Sequence, residues 1–344
     1  MLRDADQDND GFINFDEFSS LLLPADARPL VCGKFSGVKK EGETRILRNS
    51  LLGDEEGLVD NFRGFTCLKD ILETNVKSSP TKKFLGTRAK VVGDNGAVTY
   101  GDYQWKTFQE IYDGARAVAS YLMKHDLCPK VTNDEGVFRF VGLYSKNREE
   151  WVITDFASMI SGVTTVTLYD TLGAESIDYI LDQTHMRTVV LSGDKIRNIS
   201  DLKSKGKIAS TTHIIYYDDA KPADVEHAKS SGLTVLTFAD IIAEGKQLGD
   251  DGSSWDKVTG ETFYTFSYTS GTTGVPKGVM LTHRNFVVNI AGLDFWDNKD
   301  RFHDQDVYIS YLPLAHVFER LILLTGMAIK MEIGFYQGDV LKLT

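Results

Sequence analysis

Apolar residues at Phe108, Ile111, Tyr112, Ala115, Val118, Ala119 and Leu122 fall on one face at helical spacing. They follow directly on Thr107-Phe108-Gln109-Glu110, where a Thr and a Glu three apart form a capping-box signature, so the spacing predicts a long amphipathic helix. Downstream the period changes. Residues 138–144, 162–168 and 187–191 are short β-rich runs, separated by helical patterns over 149–160 and 174–184. That βαβαβ order predicts a parallel sheet. Residues 214–217 and 233–238 continue the strands, 240–247 reads as a helix, and the Gly-, Asp- and Ser-rich stretch 249–257 as a loop. Buried strands are expected at 262–268 and 306–313, and within 279–291 apolar residues take helical spacing after Thr282. The most apolar stretch, 321–329, is broken by Lys330 and reads as a core helix, too short to span a bilayer. The fold class is α/β, with parallel sheets flanked by helices.

Between the strand at 262–268 and the helical pattern lies Tyr268-Thr269-Ser270-Gly271-Thr272-Thr273-Gly274-Val275-Pro276-Lys277-Gly278. Glycines at 271, 274 and 278 permit positive φ and bring backbone N–H groups close to a ligand. Thr269, Ser270, Thr272 and Thr273 add hydroxyl donors, and Lys277 a mobile positive charge, so the stretch reads as a loop that cradles phosphates. Strand, loop, helix is the expected setting. A Walker loop is set aside, because the lysine is not followed by Ser or Thr. A flexible Ser/Thr/Gly linker has a similar composition, yet it has no need of the proline and lysine at those places.

This stretch resembles the phosphate-binding signature of the AMP-forming adenylating enzymes. The branch is narrowed by Leu312-Pro313-Leu314-Ala315-His316 followed by Glu319-Arg320, and by Gly334-Phe335-Tyr336-Gln337-Gly338-Asp339. Both are similar to motifs of the long-chain acyl-CoA synthetases. The resemblance implies activation of a fatty acid by ATP with Mg2+, through an acyl-adenylate, and transfer of the acyl group to coenzyme A. It makes His316 a residue beside the acyl and phosphate pockets that gates them, whereas a lone His between apolar residues otherwise reads as a satisfied core group. It covers about residues 30–344, roughly the N-terminal half of such an enzyme, since the Tyr-Gly-x-Thr-Glu motif, the ribose-binding Asp and the distal catalytic Lys of that family do not occur after His316. The expectation is therefore a fragment, with residues 24–80 an extension and 81–344 an incomplete adenylation domain. Two alternatives stay open: another acyl or aryl adenylating enzyme, and a calcium-binding regulatory protein with an inactive nucleotide fold.

The calcium alternative rests on Asp6-Gln7-Asp8-Asn9-Asp10-Gly11-Phe12-Ile13-Asn14-Phe15-Asp16-Glu17, which matches the EF-hand loop template. Asp6, Asp8 and Asp10 would give carboxylate ligands to Ca2+, Phe12 its carbonyl, Asn14 a side-chain or water-mediated oxygen and Glu17 a bidentate carboxylate, with Gly11 at the sharp turn. Phe18, Leu21 and Leu22 are spaced for an exiting helix before Pro24. Residues 1–23 are thus expected to be a partial EF-hand without a partner hand or an entering helix, which leaves its ligands poorly preorganised. A solvated acidic loop is the plain alternative.

The formal net charge is -11, of which residues 1–18 carry five units, six acids against Arg3. The mildly acidic remainder argues against nucleic-acid binding through a basic surface. Cys32, Cys67 and Cys128 are odd in number and lack CxxC spacing, so a reducing compartment is expected. The acidic start excludes a signal-peptide n-region. A cytoplasmic location follows, and the resemblance adds peripheral attachment to the endoplasmic reticulum or another organelle membrane. Tyr169-Asp170-Thr171 and Ser145-Lys146-Asn147-Arg148 each follow a strand, where open α/β sheets bind ligands. The first reads equally as a turn, the second as a capped helix start.

Overall fold

The computed structural model describes residues 33–49, 59–93, 97–218, 220–250, 252–269, 276–296 and 302–338. The calcium-loop residues Asp6, Asp8, Asp10, Phe12 and Glu17 lie outside the described residues, as do Ser270, Gly271, Thr272, Thr273 and Gly274 of the phosphate segment. The chain divides into two units, Met1–Leu58 and Val59–Thr344. In the first, β1 (Gly33–Ser36) and β2 (Ile46–Asn49) form an antiparallel pair with Phe35 opposite Leu47.

The second unit is built on two sheets. The larger comprises β5 (Lys130–Asn133), β6 (Gly136–Tyr144), β7 (Thr164–Leu168), β8 (Thr188–Leu191), β9 (His213–Tyr216), β10 (Thr234–Thr237), β11 (Phe263–Thr269) and β12 (Lys277–Thr282). Its order is β10-β9-β8-β6-β7-β11-β12, with β5 paired to β6. The expected parallel pairing holds from β10 to β11, while β5 and β12 are antiparallel additions. Period-2 alternation gives each face of this sheet its own core. In β6, Val141 and Leu143 enter one apolar cluster, and Phe138, Phe140 and Tyr144 enter the other.

The smaller sheet has order β13-β14-β3-β4, from β3 (Lys83–Val92), β4 (Val98–Thr107), β13 (Val307–Ser310) and β14 (Glu332–Phe335). The long β3–β4 hairpin has little alternation to announce it. Strand β3 buries Phe84, Leu85 and Gly86 in succession and exposes Val91 and Val92. The buried strand expected at 306–313 is a correction: β13 is a short edge strand with Val307 56% and Ile309 39% exposed, and 311–316 continue as a loop.

Helices α1 (Leu68–Ser78), α2 (Phe108–Lys124), α3 (Glu149–Ser161), α4 (Ala174–Gln183), α5 (Ile196–Ser204), α6 (Pro222–Ser230), α7 (Phe238–Leu248), α8 (His283–Trp296) and α9 (Val317–Ile329) surround these sheets. The capping box of α2 forms as expected: Thr107 Oγ1 accepts from Glu110 N–H, and Glu110 Oε2 accepts from Thr107 N–H at 2.7 Å. Its apolar face is buried, with Tyr112 half-buried. Helix α3, the crossover from β6 to β7, is buried on every side from Trp151 to Ser161.

Helices α2 and α7 pack at unusually close range, because a Cβ added at Gly245 would stand 2.0 Å from the Ala117 carbonyl oxygen. Gly→Ala inside a helix ordinarily stabilises by roughly 0.5–1 kcal/mol. Here the obstacle is backbone, so Gly245→Ala should instead destabilise by about 1–3 kcal/mol, read as a lower urea midpoint.

Candidate active site

The parallel strands β6, β7 and β11 end at one edge of the larger sheet, and the candidate residues gather there. Strand β11 ends at Thr269, which is the register partner of Lys277, the first residue of β12. The phosphate segment thus leaves and re-enters the sheet at adjacent points. Two expectations are corrected. Lys277 belongs to an antiparallel strand, so the order is strand, loop, strand, helix, with α8 starting only at His283. Gly278 has no positive φ; a Cβ there would lie 3.0 Å from the Tyr268 ring across the pair, and its role is to leave room for that ring.

His316 is exposed, so it is not a core histidine. It is the N-cap of α9, and its Nδ1 accepts from Phe318 N–H at 3.2 Å, which places the proton of the neutral ring on Nε2. Its ring meets Tyr169 edge-on with centroids 6.4 Å apart. Tyr169-Asp170-Thr171 therefore both turns, with Leu172 N–H bonded to the Tyr169 carbonyl, and lines the His316 surroundings. In the first turn of α9, Val317, Phe318 and Leu321 join Leu281 of β12 and Phe286 of α8 in an apolar groove of about 190 Å³, with Asn285 and Asn289 as its polar lining.

The groups that fix this edge are buried and polar. Arg320, one turn beyond His316, pairs with Asp155 of α3. Its Nη1 donates to Thr265 Oγ1 at 2.6 Å and its Nη2 to Thr165 Oγ1 at 2.7 Å, while its guanidinium lies 4.4 Å from the Tyr264 centroid. Tyr264 also donates its hydroxyl to Asp155. Burial opposes the charge on Arg320, but Asp155 and Tyr264 outweigh it and its pKa is raised. The neighbouring Glu319 accepts from Tyr308 and Ser310 hydroxyls, each at 2.6 Å, and burial pushes its carboxyl up despite these donors. Arg320 and Glu319 stand in the motif, but Asp155 went unnoticed in the sequence. Its signal was a carboxylate inside the otherwise apolar run Val152-Ile153-Thr154-Asp155-Phe156-Ala157.

The Ser145–Arg148 corner is also redefined. Arg148 is the N-cap of α3 without a side-chain cap bond, and it pairs with Glu150 and Asp218. Asn147 instead reaches to the loop before His316. Near the base of this region, His283 is buried with its Nδ1 3.6 Å from Cys67 Sγ. Burial, helped by Arg320 and Lys69, holds the His283 pKa down at about 3. Among the described residues no three His, Cys, Asp or Glu side chains stand together as a metal-binding group.

This arrangement defines an α/β fold of the adenylating-enzyme type. Residues 85–344 match the AMP-binding enzyme family, and the chain belongs to it. It is 33% identical over 276 residues to the peroxisomal long chain acyl-CoA synthetase 6 of Arabidopsis thaliana, covering 80% of this chain and 36% of that protein. It is 32% identical to fatty acyl-CoA synthetase B of Dictyostelium discoideum, covering 88% of this chain and 42% of that one. The chain thus spans about two-fifths or less of these relatives' length. Among solved structures, the adenylation domain of a carboxylate reductase from Mycobacterium chelonae superposes with a TM-score of 0.65 at 20% identity, over 81% of this chain and 44% of that one. A long-chain-fatty-acid-CoA ligase from Archaeoglobus fulgidus gives 0.57 at 16% identity, over 78% and 46%. These likenesses establish the fold of the N-terminal part of an adenylating enzyme.

Removing one member of the buried pair leaves an uncompensated charge, so Asp155→Ala should cost about 3–5 kcal/mol in chemical denaturation. His283 gives a pH signature. The unfolded chain binds a proton there below about 6.5, whereas the folded protein resists until about 3, so stability falls as pH drops through that window. The slope from this group approaches roughly 1.4 kcal/mol per pH unit, and His283→Asn should remove it from the pH dependence of unfolding.

Proposed function

We propose that this chain forms the nucleotide- and acyl-facing part of an AMP-forming long-chain fatty acid:CoA ligase. The observation that carries this reading is an apolar groove whose walls come from the first turn of α9, immediately after His316 in the chain, from α8 and from Leu281 of β12, the strand that starts at Lys277 opposite Thr269. A long alkyl chain needs dry, apolar walls, and its carboxylate needs a polar mouth; the groove and the edge supply one each. Similarity to the Arabidopsis and Dictyostelium synthetases supports the same substrate class.

The chemistry follows from charge. A fatty carboxylate oxygen attacks the α-phosphorus of ATP, the new C–O–P bond forms, and the bond to the β-phosphate oxygen breaks to release pyrophosphate. Two anions must meet, so the site has to neutralise phosphate oxygens as the transition state develops. Lys277 brings an ammonium to the end of the phosphate segment, and Thr269 and the hydroxyls of Ser270, Thr272 and Thr273 bring donors. The thiol sulfur of coenzyme A then attacks the acyl carbon and AMP leaves. Mg2+ would add charge neutralisation when bound, although among the described residues no three His, Cys, Asp or Glu side chains stand together to hold it. His316, with its proton on Nε2, offers an exposed donor at the start of α9, next in the chain to Val317 of the groove.

The adenylation domain is taken to begin near residue 81, after an extension over 24–80. For residues 1–23 we propose a calcium loop with Asp6, Asp8, Asp10, Phe12 and Glu17 as ligands, supported by its full match to the template. Calcium titration calorimetry of the chain, with Glu17→Gln as the control, decides that part. No helix among the described residues is long and apolar enough to cross a membrane, and the proposed location is cytoplasmic, with or without attachment to an organelle surface.

In the natural full-length protein, Lys277→Ala should lower the rate of fatty-acid-dependent ATP–pyrophosphate exchange on the order of a hundredfold. Leu321→Glu, which puts a carboxylate into the groove, should raise the KM for long-chain acids far more than for short ones. Exchange that needs no fatty acid, or unchanged rates in Lys277→Ala, would defeat the proposal.

A further inference from the structure

The loop 311–316 carries His316 across the ends of β6 and β7, and a loop of this kind needs partners from the rigid sheet. Asn147, three residues beyond β6, provides most of them. Its Nδ2 donates to Ser310 Oγ at 2.9 Å and to the Leu312 carbonyl at 2.6 Å. Its Oδ1 accepts from Leu314 N–H at 2.8 Å. One carboxamide therefore reads the carbonyl of residue 312 and the N–H of residue 314, as a neighbouring strand would read that edge. Thr167 of β7 adds a bond to the Ala315 carbonyl at 3.1 Å, and Arg320 N–H bonds to the His316 carbonyl at 3.2 Å.

We infer that Asn147 is a positioning residue, which sets where the His316 imidazole stands by serving as a one-residue strand for the loop that carries it. Its catalytic consequence rests on the role proposed for His316 above. No other uncharged side chain of that size offers two donors and an acceptor in this fork. Aspartate is isosteric but keeps only the acceptor, and it turns a carboxylate oxygen towards the Leu312 carbonyl. Through that loss the capping bond from Phe318 N–H to His316 Nδ1, and with it the ring's fixed tautomer, is expected to loosen.

The test is nitrogen NMR of 15N-histidine-labelled protein, comparing Asn147→Asp and Asn147→Ala with the unaltered chain. His283, buried at a distance in sequence and bonded to Cys67, reports on the fold in the same spectrum. The expected result is a shift of the His316 ring nitrogens towards the tautomer average, with His283 unchanged, and, in a second sample labelled with 15N at phenylalanine, about tenfold faster exchange of the Phe318 amide. His316 signals that stay put in both variants overturn the inference, and so do His316 and His283 signals that move together, which would mean a general structural role. In the natural full-length protein, Asn147→Asp should lower kcat about tenfold to a hundredfold while the KM for ATP changes little. His316→Ala separates the two readings. Unchanged turnover in that variant defeats the role given to His316 without touching the NMR result on Asn147.

Discussion

The pairing of Asp155 with Arg320 is the constraint on which the candidate site depends. Taking either charge out of water costs several kcal/mol, and an arginine can be held in a protein interior only if its donors and its faces are all met. Here Asp155, Thr165 and Thr265 meet the donors, and Tyr264 and Trp151 cover the faces. Those partners come from α3, β7 and β11. Because they are spread over three elements, the guanidinium is satisfied in only one arrangement of helix and sheet. Helix α9 is therefore fixed in rotation and depth, and its N-terminal residue, His316, is fixed with it.

The same logic extends outward in weaker form. Glu319 gathers Tyr308 and Ser310 from β13, Asn147 holds the loop from the β6 side, and Thr167 holds it from β7. Buried polar groups with complete partners specify geometry more sharply than apolar packing, because a displaced partner leaves an unsatisfied group. The apolar groove has bonds of this kind only at its Asn285 and Asn289 side, within β12 and α8.

Much of the fold was legible in the sequence because the period of apolar residues changes cleanly between 3.6 and 2. The capping box at Thr107 and Glu110, the alternation of β6, α3, β7, α4 and β8, and the short core helix α9 all follow from that signal. The β3–β4 hairpin did not show, since the buried residues of β3 are consecutive and its exposed end carries the valines Val91 and Val92. Strand β12 was absorbed into the helix pattern that follows it, which left Lys277 in a loop when it stands at a strand end. The phosphate segment and the His316 motif were recognisable by resemblance. Asp155 and Asn147 were not, since what they do depends on partners 165 and up to 167 positions away, and no local pattern records such a distance.

The smaller sheet joins the early and late parts of the second unit. Strand β14 pairs with β3, and Asn75 of α1 donates to the Met327 carbonyl, a partner 252 positions along the chain. A ribosome adding roughly 5–20 residues per second would therefore leave the β3–β4 ribbon waiting for roughly tens of seconds before its neighbour emerges. Throughout that interval Phe84 and Leu85 lack one flank of their eventual enclosure. The nascent polypeptide is thus most vulnerable to misassociation near its beginning, although the event that ends the danger comes near Phe335.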